Sequence, residues 1–262
     1  MSTSSPIRQR VLARETTFGA FLVIDSPATV EICARSGLDW VLIDLEHGMA
    51  SEAGLVPLLM ATSGTPAAAL VRVESGARPR VGRVLDMGAE GVMVPQIHSA
   101  AEARSVARWL RTQPGGERGV ALFTRGMDYG GRGHDGAATR HEDLLGIVQI
   151  ESTAALAAVD EMAEVEGVDV LFVGPTDLSH ALGIPGRIEA PVYDEAIRRV
   201  AGVARNAGKA AGVLVWRPED TARYAELGYT FFGLSSEGLI LDRALRSALE
   251  GARGAARAGA PA

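Results

Sequence analysis

The chain has 262 residues, with Lys+Arg 26 against Asp+Glu 32 for a formal charge of −6, and 47% of it is hydrophobic. That length and apolar content suit one large domain with a substantial core and exclude a disordered chain. The acidic balance, with no basic block interleaved with aromatics, argues against nucleic acid or an anionic membrane as partner.

No run of about 18 apolar residues is present to span a bilayer. The opening Met1-Ser2-Thr3-Ser4-Ser5-Pro6 is polar where a signal core would be apolar, and Cys33, the single cysteine, cannot close an internal disulfide. Both features fit a reducing cytoplasm.

In chain order, a polar tail over about 1–10 precedes a strand at Phe18–Asp25 and a helix at Ala28–Ser36. The same pair recurs as Trp40–Glu46 with Glu52–Ala61, Ala68–Val73 with Pro79–Met87, and Gly91–Ile97 with Ala100–Leu110. A Gly/Arg-rich insertion from Gly115 to Arg140 follows, too long for an ordinary structureless connection and suited to a lid or a subunit contact. Its glycine run, Gly130 to Gly136, follows no strand and opens no helix, so it reads as a flexible loop and not as a phosphate cradle.

The alternation then resumes as Ile147–Glu151 with Ala154–Val165, Asp169–Gly174 with Tyr193–Asn206, Gly212–Trp216 with Pro218–Leu227, and Phe231–Leu234 with Leu239–Glu250. The Ala/Gly/Pro-rich tail over about 251–262 is expected to fray. Several strands are apolar at successive positions, as strands covered on both faces must be. Eight strand–helix units predict a single-domain (β/α)8 (TIM) barrel over residues 1–262. An open doubly wound sheet shares the alternation, but no glycine fingerprint follows the first strand.

Reactive groups of a barrel belong at the C-terminal ends of its strands. The second candidate strand ends Asp44-Leu45-Glu46-His47, the third ends at Arg72, the fifth ends Gln149-Ile150-Glu151, and the sixth runs into Gly174-Pro175-Thr176-Asp177. Glu151 and Asp177 are one βα unit apart, so two carboxylates converge at one height. They either hold a hard divalent cation through oxygen or cap the structures that follow them.

Histidine is the side chain suited to proton exchange near neutrality, and His47, beside carboxylates, suits a proton-transfer role or a structural donor. Arg72 closes an otherwise apolar strand and needs an anion: a substrate carboxylate, a developing oxyanion or a structural Glu. His98 follows the fourth strand, whereas His134, His141 and His180 fall in loops. Of the 26 cations only Lys209 is a lysine, and it precedes the seventh strand at the wrong end of a barrel for imine chemistry. Carbonyl chemistry on this chain therefore calls for a metal as electron sink.

These segments resemble the HpcH/HpaI aldolase family, the metal-dependent class II pyruvate aldolases of the phosphoenolpyruvate/pyruvate barrel superfamily. The likeness runs from about Phe18 to Arg246, through Gly37 to Gly48, Leu85-Asp86-Met87-Gly88-Ala89, Gly116-Glu117-Arg118-Gly119, Gln149-Ile150-Glu151 and Gly174 to Ser179. It implies a divalent metal ion (Mg2+, Mn2+ or Co2+) on Glu151 and Asp177, with Arg72 polarising the 2-oxo group.

The resemblance also implies that His47 is a base acting through a metal-bound water, with Asp44 nearby, and that Asp86 orients that histidine from an adjacent subunit. Gln149 would meet the substrate carbonyl, and the backbone at Gly174 and Thr176 its carboxylate. The implied assembly is a homo-oligomer, a hexamer built as a trimer of dimers that exchange the last helix. The implied reaction is reversible cleavage of a 4-hydroxy-2-oxo acid to pyruvate and an aldehyde. A lyase acting on an acyl-CoA of the citryl or malyl type, and a non-catalytic barrel used for assembly, are the alternatives.

Overall fold

A strand such as Trp40-Val41-Leu42-Ile43 has no face that water could cover, so it must be packed on both sides. The computed structural model, which describes residues 7–258, does this by closing eight parallel strands into a barrel. The strands are β1 (Thr17–Leu22), β2 (Trp40–Asp44), β3 (Ala68–Arg72), β4 (Gly91–Val94), β5 (Leu145–Ile150), β6 (Val170–Val173), β7 (Ala210–Val215) and β8 (Phe231–Ser236). Each pairs with the next, and β8 returns to β1.

Helices connect them: α1 (Ile7–Leu12), α2 (Pro27–Arg35), α3 (Leu55–Ala61), α4 (Arg78–Asp86), α5 (Ala100–Leu110), α6 (Gly133–Thr139), α7 (Thr153–Ala157), α8 (Val159–Ala163), α9 (Pro175–Ala181), α10 (Pro191–Asn206), α11 (Thr221–Leu227) and α12 (Glu237–Ala258). Among the described residues, no helix is long and apolar enough to cross a membrane.

The period of two in each strand sorts the core into two shells. Trp40 and Leu42 of β2, Ala68 and Leu70 of β3, Leu145 and Ile147 of β5, and Val170 and Phe172 of β6 fill the barrel interior. Their alternate neighbours, such as Val41, Ile43, Val71, Val148 and Leu171, pack outward under the helices. Inside, Trp40 stacks on Phe231 with centroids 4.3 Å apart and ring planes within 2°. Gly19 makes room for that indole, because a Cβ there would lie 2.0 Å from the Trp40 ring.

The structure corrects the expected elements in several places. The polar tail is not structureless from residue 7: α1 inserts buried Ile7 and Val11 under the barrel floor, and Arg8 clamps Asp169 with bonds of 2.9 and 3.0 Å. Residues 1–6 and 259–262 lie outside the described residues.

The last helix does not end near Glu250 but runs to Ala258, because alanine and arginine favour helix strongly enough to carry Gly251 and Gly254. The Gly115–Arg140 insertion is partly helical, and Gly133 does open a short helix, α6. The expected helix over Ala154–Val165 is two short ones that break at Ala158. α9 is an additional helix directly after β6.

Candidate active site

The inward positions continue past the apolar layers and become polar at the C-terminal rim. On β2 the series Trp40, Leu42 leads to Asp44 and Glu46; on β3 Ala68, Leu70 leads to Arg72; on β5 Leu145, Ile147 leads to Gln149 and Glu151; on β6 Val170, Phe172 leads to Gly174. β2 and β3 pair in the register Asp44↔Arg72, so the two side chains emerge side by side.

Arg72 binds Asp44 through two parallel hydrogen bonds, Nε to Oδ1 at 2.9 Å and Nη2 to Oδ2 at 2.6 Å. The pair is buried, with side-chain exposures of 10% and 1%. Burial alone would lower the Arg72 pKa, but the bond to Asp44 and the charges of Asp44, Glu46 and Glu151 hold it above its ordinary value. The guanidinium also lies over the Phe21 ring, 5.0 Å from its centroid. Asp44 Oδ1 further accepts from the backbone amides of Glu46 and His47 at 3.0 and 3.3 Å. Asp44 thus fixes Arg72 and the turn after β2, and it touches the backbone of His47, not its ring.

Gln149 links the cation to the carboxylates. Its Oε1 lies 3.4 Å from Arg72 Nη1, and its Nε2 donates to Glu151 Oε2 at 2.8 Å. Glu151 Oε1 accepts from the amide of Gln96 at 2.7 Å. Burial, reinforced by the charge of Asp177, pushes the Glu151 carboxyl upward against the Gln96 hydrogen bond. Glu151 is not the cap of the next helix: that role belongs to Ser152, whose hydroxyl accepts from Ala155 N at 3.1 Å. Gly174 packs against this carboxylate, since a Cβ there would come 2.9 Å from Glu151 Oε2. Thr176 and Asp177 are exposed in the first turn of α9, whose N-terminus has no side-chain cap.

His47 lies at the rim with its side chain 66% exposed, Nε2 3.8 Å from Glu46 Oε2. Asp86 is elsewhere within this chain. It ends α4, the helix that leads down to the start of β4, and accepts from Nη2 of buried Arg118 at 2.8 Å. Lys209 stands at the start of β7, donating to the Val165 carbonyl at 3.1 Å, remote from the mouth.

Glu46 and Gln96 belong to this cluster, although the sequence reading did not single them out. Glu46 was legible as the next inward position after Asp44; the positive φ of 56° that turns Gln96 toward Glu151 has no sequence signal. Among the described residues, no three His, Cys, Asp or Glu side chains form a ready metal cage. Glu151 and Asp177 are two carboxylates near enough for Asp177 to raise Glu151, and oxygen donors of this type suit a hard cation completed by water and ligand oxygens. The like charges and the open second lone pair on each Glu151 oxygen fit such an ion.

A cavity of about 660 Å³ opens at the opposite end of the barrel, by the starts of β2, β3 and β4. Its Arg10, Arg125, Arg132 and Arg140 are balanced by Asp39, Glu90, Asp128 and Asp143, and none of the rim residues lines it. The rim cluster and this cavity are separate features at opposite ends of the barrel.

The sequence profile of the HpcH/HpaI aldolase/citrate lyase family matches residues 17–244. The chain is 36% identical over 261 residues to a hydroxypyruvate/pyruvate aldolase of Paraburkholderia phytofirmans, covering 97% of this chain and 100% of that one. It is 34% identical over 246 residues to a 2-keto-3-deoxy-L-rhamnonate aldolase of Escherichia coli, covering 92% and 91%. The crystal structure of an HpcH/HpaI aldolase/citrate lyase family protein from Burkholderia cenocepacia superposes with a TM-score of 0.91 at 33% identity, covering 95% of this chain and 100% of that one.

Proposed function

Since the chain belongs to the HpcH/HpaI aldolase/citrate lyase family and is a carbon–carbon lyase of the aldolase type, we propose that it cleaves a 4-hydroxy-2-oxo acid reversibly to pyruvate, or a close 2-oxo acid such as hydroxypyruvate, and an aldehyde. The observation that carries this reading is the Arg72–Asp44 pair. It is a buried, doubly bonded guanidinium whose Nη1 edge is turned toward Gln149 and away from Asp44.

Cleavage next to a 2-oxo group leaves negative charge on the former carbonyl oxygen. A donor fixed before the reaction stabilises that charge without reorganising. Arg72 Nη1 is such a donor, and Phe21 beneath it and Asp44 beside it keep it from turning. Gln149 holds Glu151 in place and marks the far side of the same oxygen position.

A divalent cation, Mg2+, Mn2+ or Co2+, would sit on Glu151 and Asp177, and when bound it supplies Lewis-acid polarisation of the 2-oxo group and a second positive charge for the developing oxyanion. Gly174 leaves the space above Glu151 open, and the uncapped first turn of α9 offers amides near Thr176 to the substrate carboxylate. His47, exposed at the rim, takes the proton from the 4-hydroxyl as the C3–C4 bond breaks and gives a proton to C3 of the resulting enolate, yielding the aldehyde and pyruvate; aldol addition runs the same transfers in reverse. In this reading Asp86 reaches a histidine only in a neighbouring subunit.

Leu241, Leu245 and Leu249 are half-exposed along one face of α12 and support a homo-oligomer, which we take to be a hexamer. The direct test is pyruvate release from a panel of 4-hydroxy-2-oxo acids, with and without a chelator and with citryl-CoA as a control substrate. Release that requires Mg2+, Mn2+ or Co2+ is expected; full activity in the chelated protein would overturn the cation's role, and turnover of citryl-CoA alone would overturn the substrate class.

A further inference from the structure

A guanidinium presents five N–H donors in a rigid fork, so its free edge can be read from the edges already used. Asp44 takes Nε and one N–H of Nη2 from Arg72. Asp44 cannot withdraw, because it is 1% exposed and also holds two backbone amides that would be left unpaired. The Nη1 edge is held far less firmly. Gln149 Oε1 stands at 3.4 Å, near the limit of a hydrogen bond. Glu46 Oε2 stands at 3.0 Å, an ion-pair distance, yet that buried oxygen makes no aligned hydrogen bond with any donor. A buried carboxylate oxygen so placed is balanced by charge but poorly satisfied.

Among the described residues, only Arg72 and His47 form ion pairs with the Glu46 side chain, and no hydrogen bond to it is made. It stands past the end of β2, with Nε2 of exposed His47 at 3.8 Å from Oε2. We propose that Glu46 is a displaceable occupant of the substrate edge of Arg72: it neutralises Nη1 in the empty site and gives way when the oxygen of a 2-oxo acid arrives. This rests on the reading that Arg72 receives the substrate oxygen. The device has a physical purpose. A buried arginine edge with no anion is costly, and Glu46 removes that cost without the alignment that would make it a strong competitor. Burial, with smaller contributions from the charges of Glu151 and Asp44, pushes its carboxyl upward against the charges of Arg72 and His47. Glu46 thus tunes how tightly the 2-oxo acid binds and is a positioning residue, not a group that attacks substrate.

The test is equilibrium binding of pyruvate by calorimetry to the Mg2+-saturated protein, for the unaltered chain, Glu46→Gln, Glu46→Ala, Arg72→Lys and the Glu46→Gln/Arg72→Lys double variant. Losing the competing charge is expected to tighten pyruvate by about three- to tenfold in both Glu46 variants, the scale of one poorly aligned ion pair. KM for a 4-hydroxy-2-oxo acid should fall with it while kcat does not rise. Arg72→Lys should weaken pyruvate at least about tenfold, and Glu46→Gln should give no tightening in that background.

Pyruvate bound equally or more weakly by both Glu46 variants, with Arg72→Lys still weakened, refutes the displaceable role and leaves that of Arg72 standing. Unchanged binding by Arg72→Lys refutes the reading beneath it. If Glu46→Gln does not fold, Glu46→Ala carries the same comparison.

Discussion

Asp44→Asn separates the two tasks of the buried pair more cleanly than any change at Arg72 itself. Asparagine keeps the size of the side chain and one carbonyl oxygen, which can still accept from the amides of Glu46 and His47. What it removes is the charge that two nitrogens of Arg72 bind at 2.9 and 2.6 Å. Breaking a buried pair by neutralising one partner costs about 3–5 kcal/mol, because the other charge stays buried without its counter-ion. Glu46, 3.0 Å from Nη1, and the Phe21 face offset part of that, so the lower end, about 3 kcal/mol, is expected.

At about 2–4 °C per kcal/mol for a chain near this size, Tm should fall by about 6–12 °C. Below that melting range the variant should be folded but slow, because its guanidinium is no longer held in one orientation, and kcat should drop by about 10²–10³. Thermal melting and pyruvate release at 25 °C measure the two effects independently. A Tm loss below about 2 °C with kcat within threefold of the unaltered chain would falsify the claim that Asp44 fixes Arg72.

Two glycines should behave oppositely. Gly19→Ala drives a Cβ to 2.0 Å from the Trp40 ring and should cost about 3 kcal/mol or prevent folding, whereas Gly174→Ala crowds the Glu151 side chain, at 2.9 Å from Oε2, and Gln149 Nε2 at 3.3 Å. The second variant should melt almost normally while losing more than about tenfold in pyruvate release; equal melting of the two would contradict the packing described.

For pH, the Glu46 carboxyl is raised in the folded protein, chiefly by burial, so the folded state holds its proton more tightly than the unfolded chain. Its contribution to stability is complete below the ordinary carboxylate range and is lost as pH rises through the raised value. The Tm of the cation-free protein relative to Glu46→Gln should therefore fall from about pH 4 toward pH 8, and a flat difference would show that burial does not shift this group.

Lys209→Met should retain activity within about threefold, and borohydride with pyruvate should leave no adduct, since Nζ is tied to the Val165 carbonyl at the other end of the barrel. A trapped adduct would contradict the exclusion of imine chemistry.

The barrel was legible because both-faced burial leaves a plain mark: successive apolar residues in β2, β5 and β6, with glycine beyond the last turn of helices such as α4 and α11. Gly88 and Gly228 do take positive φ, 104° and 97°, at those ends. What stayed hidden had no such mark. α1 carries only Ile7 and Val11 among polar neighbours, and its burial comes from a barrel floor that exists only after folding. The helical end of α12 was masked by glycines in a composition that reads as a tail. α9 is a short helix begun by Pro175 directly after β6, where the strand's apolar run offers no separate period to read.

The same period of two explains which site residues are fixed and which are free. Asp44, Arg72, Gln149, Glu151 and Gly174 all fall on inward positions or their direct continuation, and all are buried. Their geometry is therefore inherited from the barrel's hydrogen-bond register, as Asp44↔Arg72 shows. His47 is one residue out of that phase, and Asp177 lies beyond the strand on α9, so both are exposed at the rim. Asp44 and Arg72 stand where the core holds them, whereas His47 and Asp177 stand where solvent and ligand can reach them. Glu46 is the borderline case: in phase with the interior but past the end of the strand, it is intermediate in burial and lacks the anchoring of the first set. A residue in that position is the one expected to yield when an anionic substrate needs the edge of Arg72.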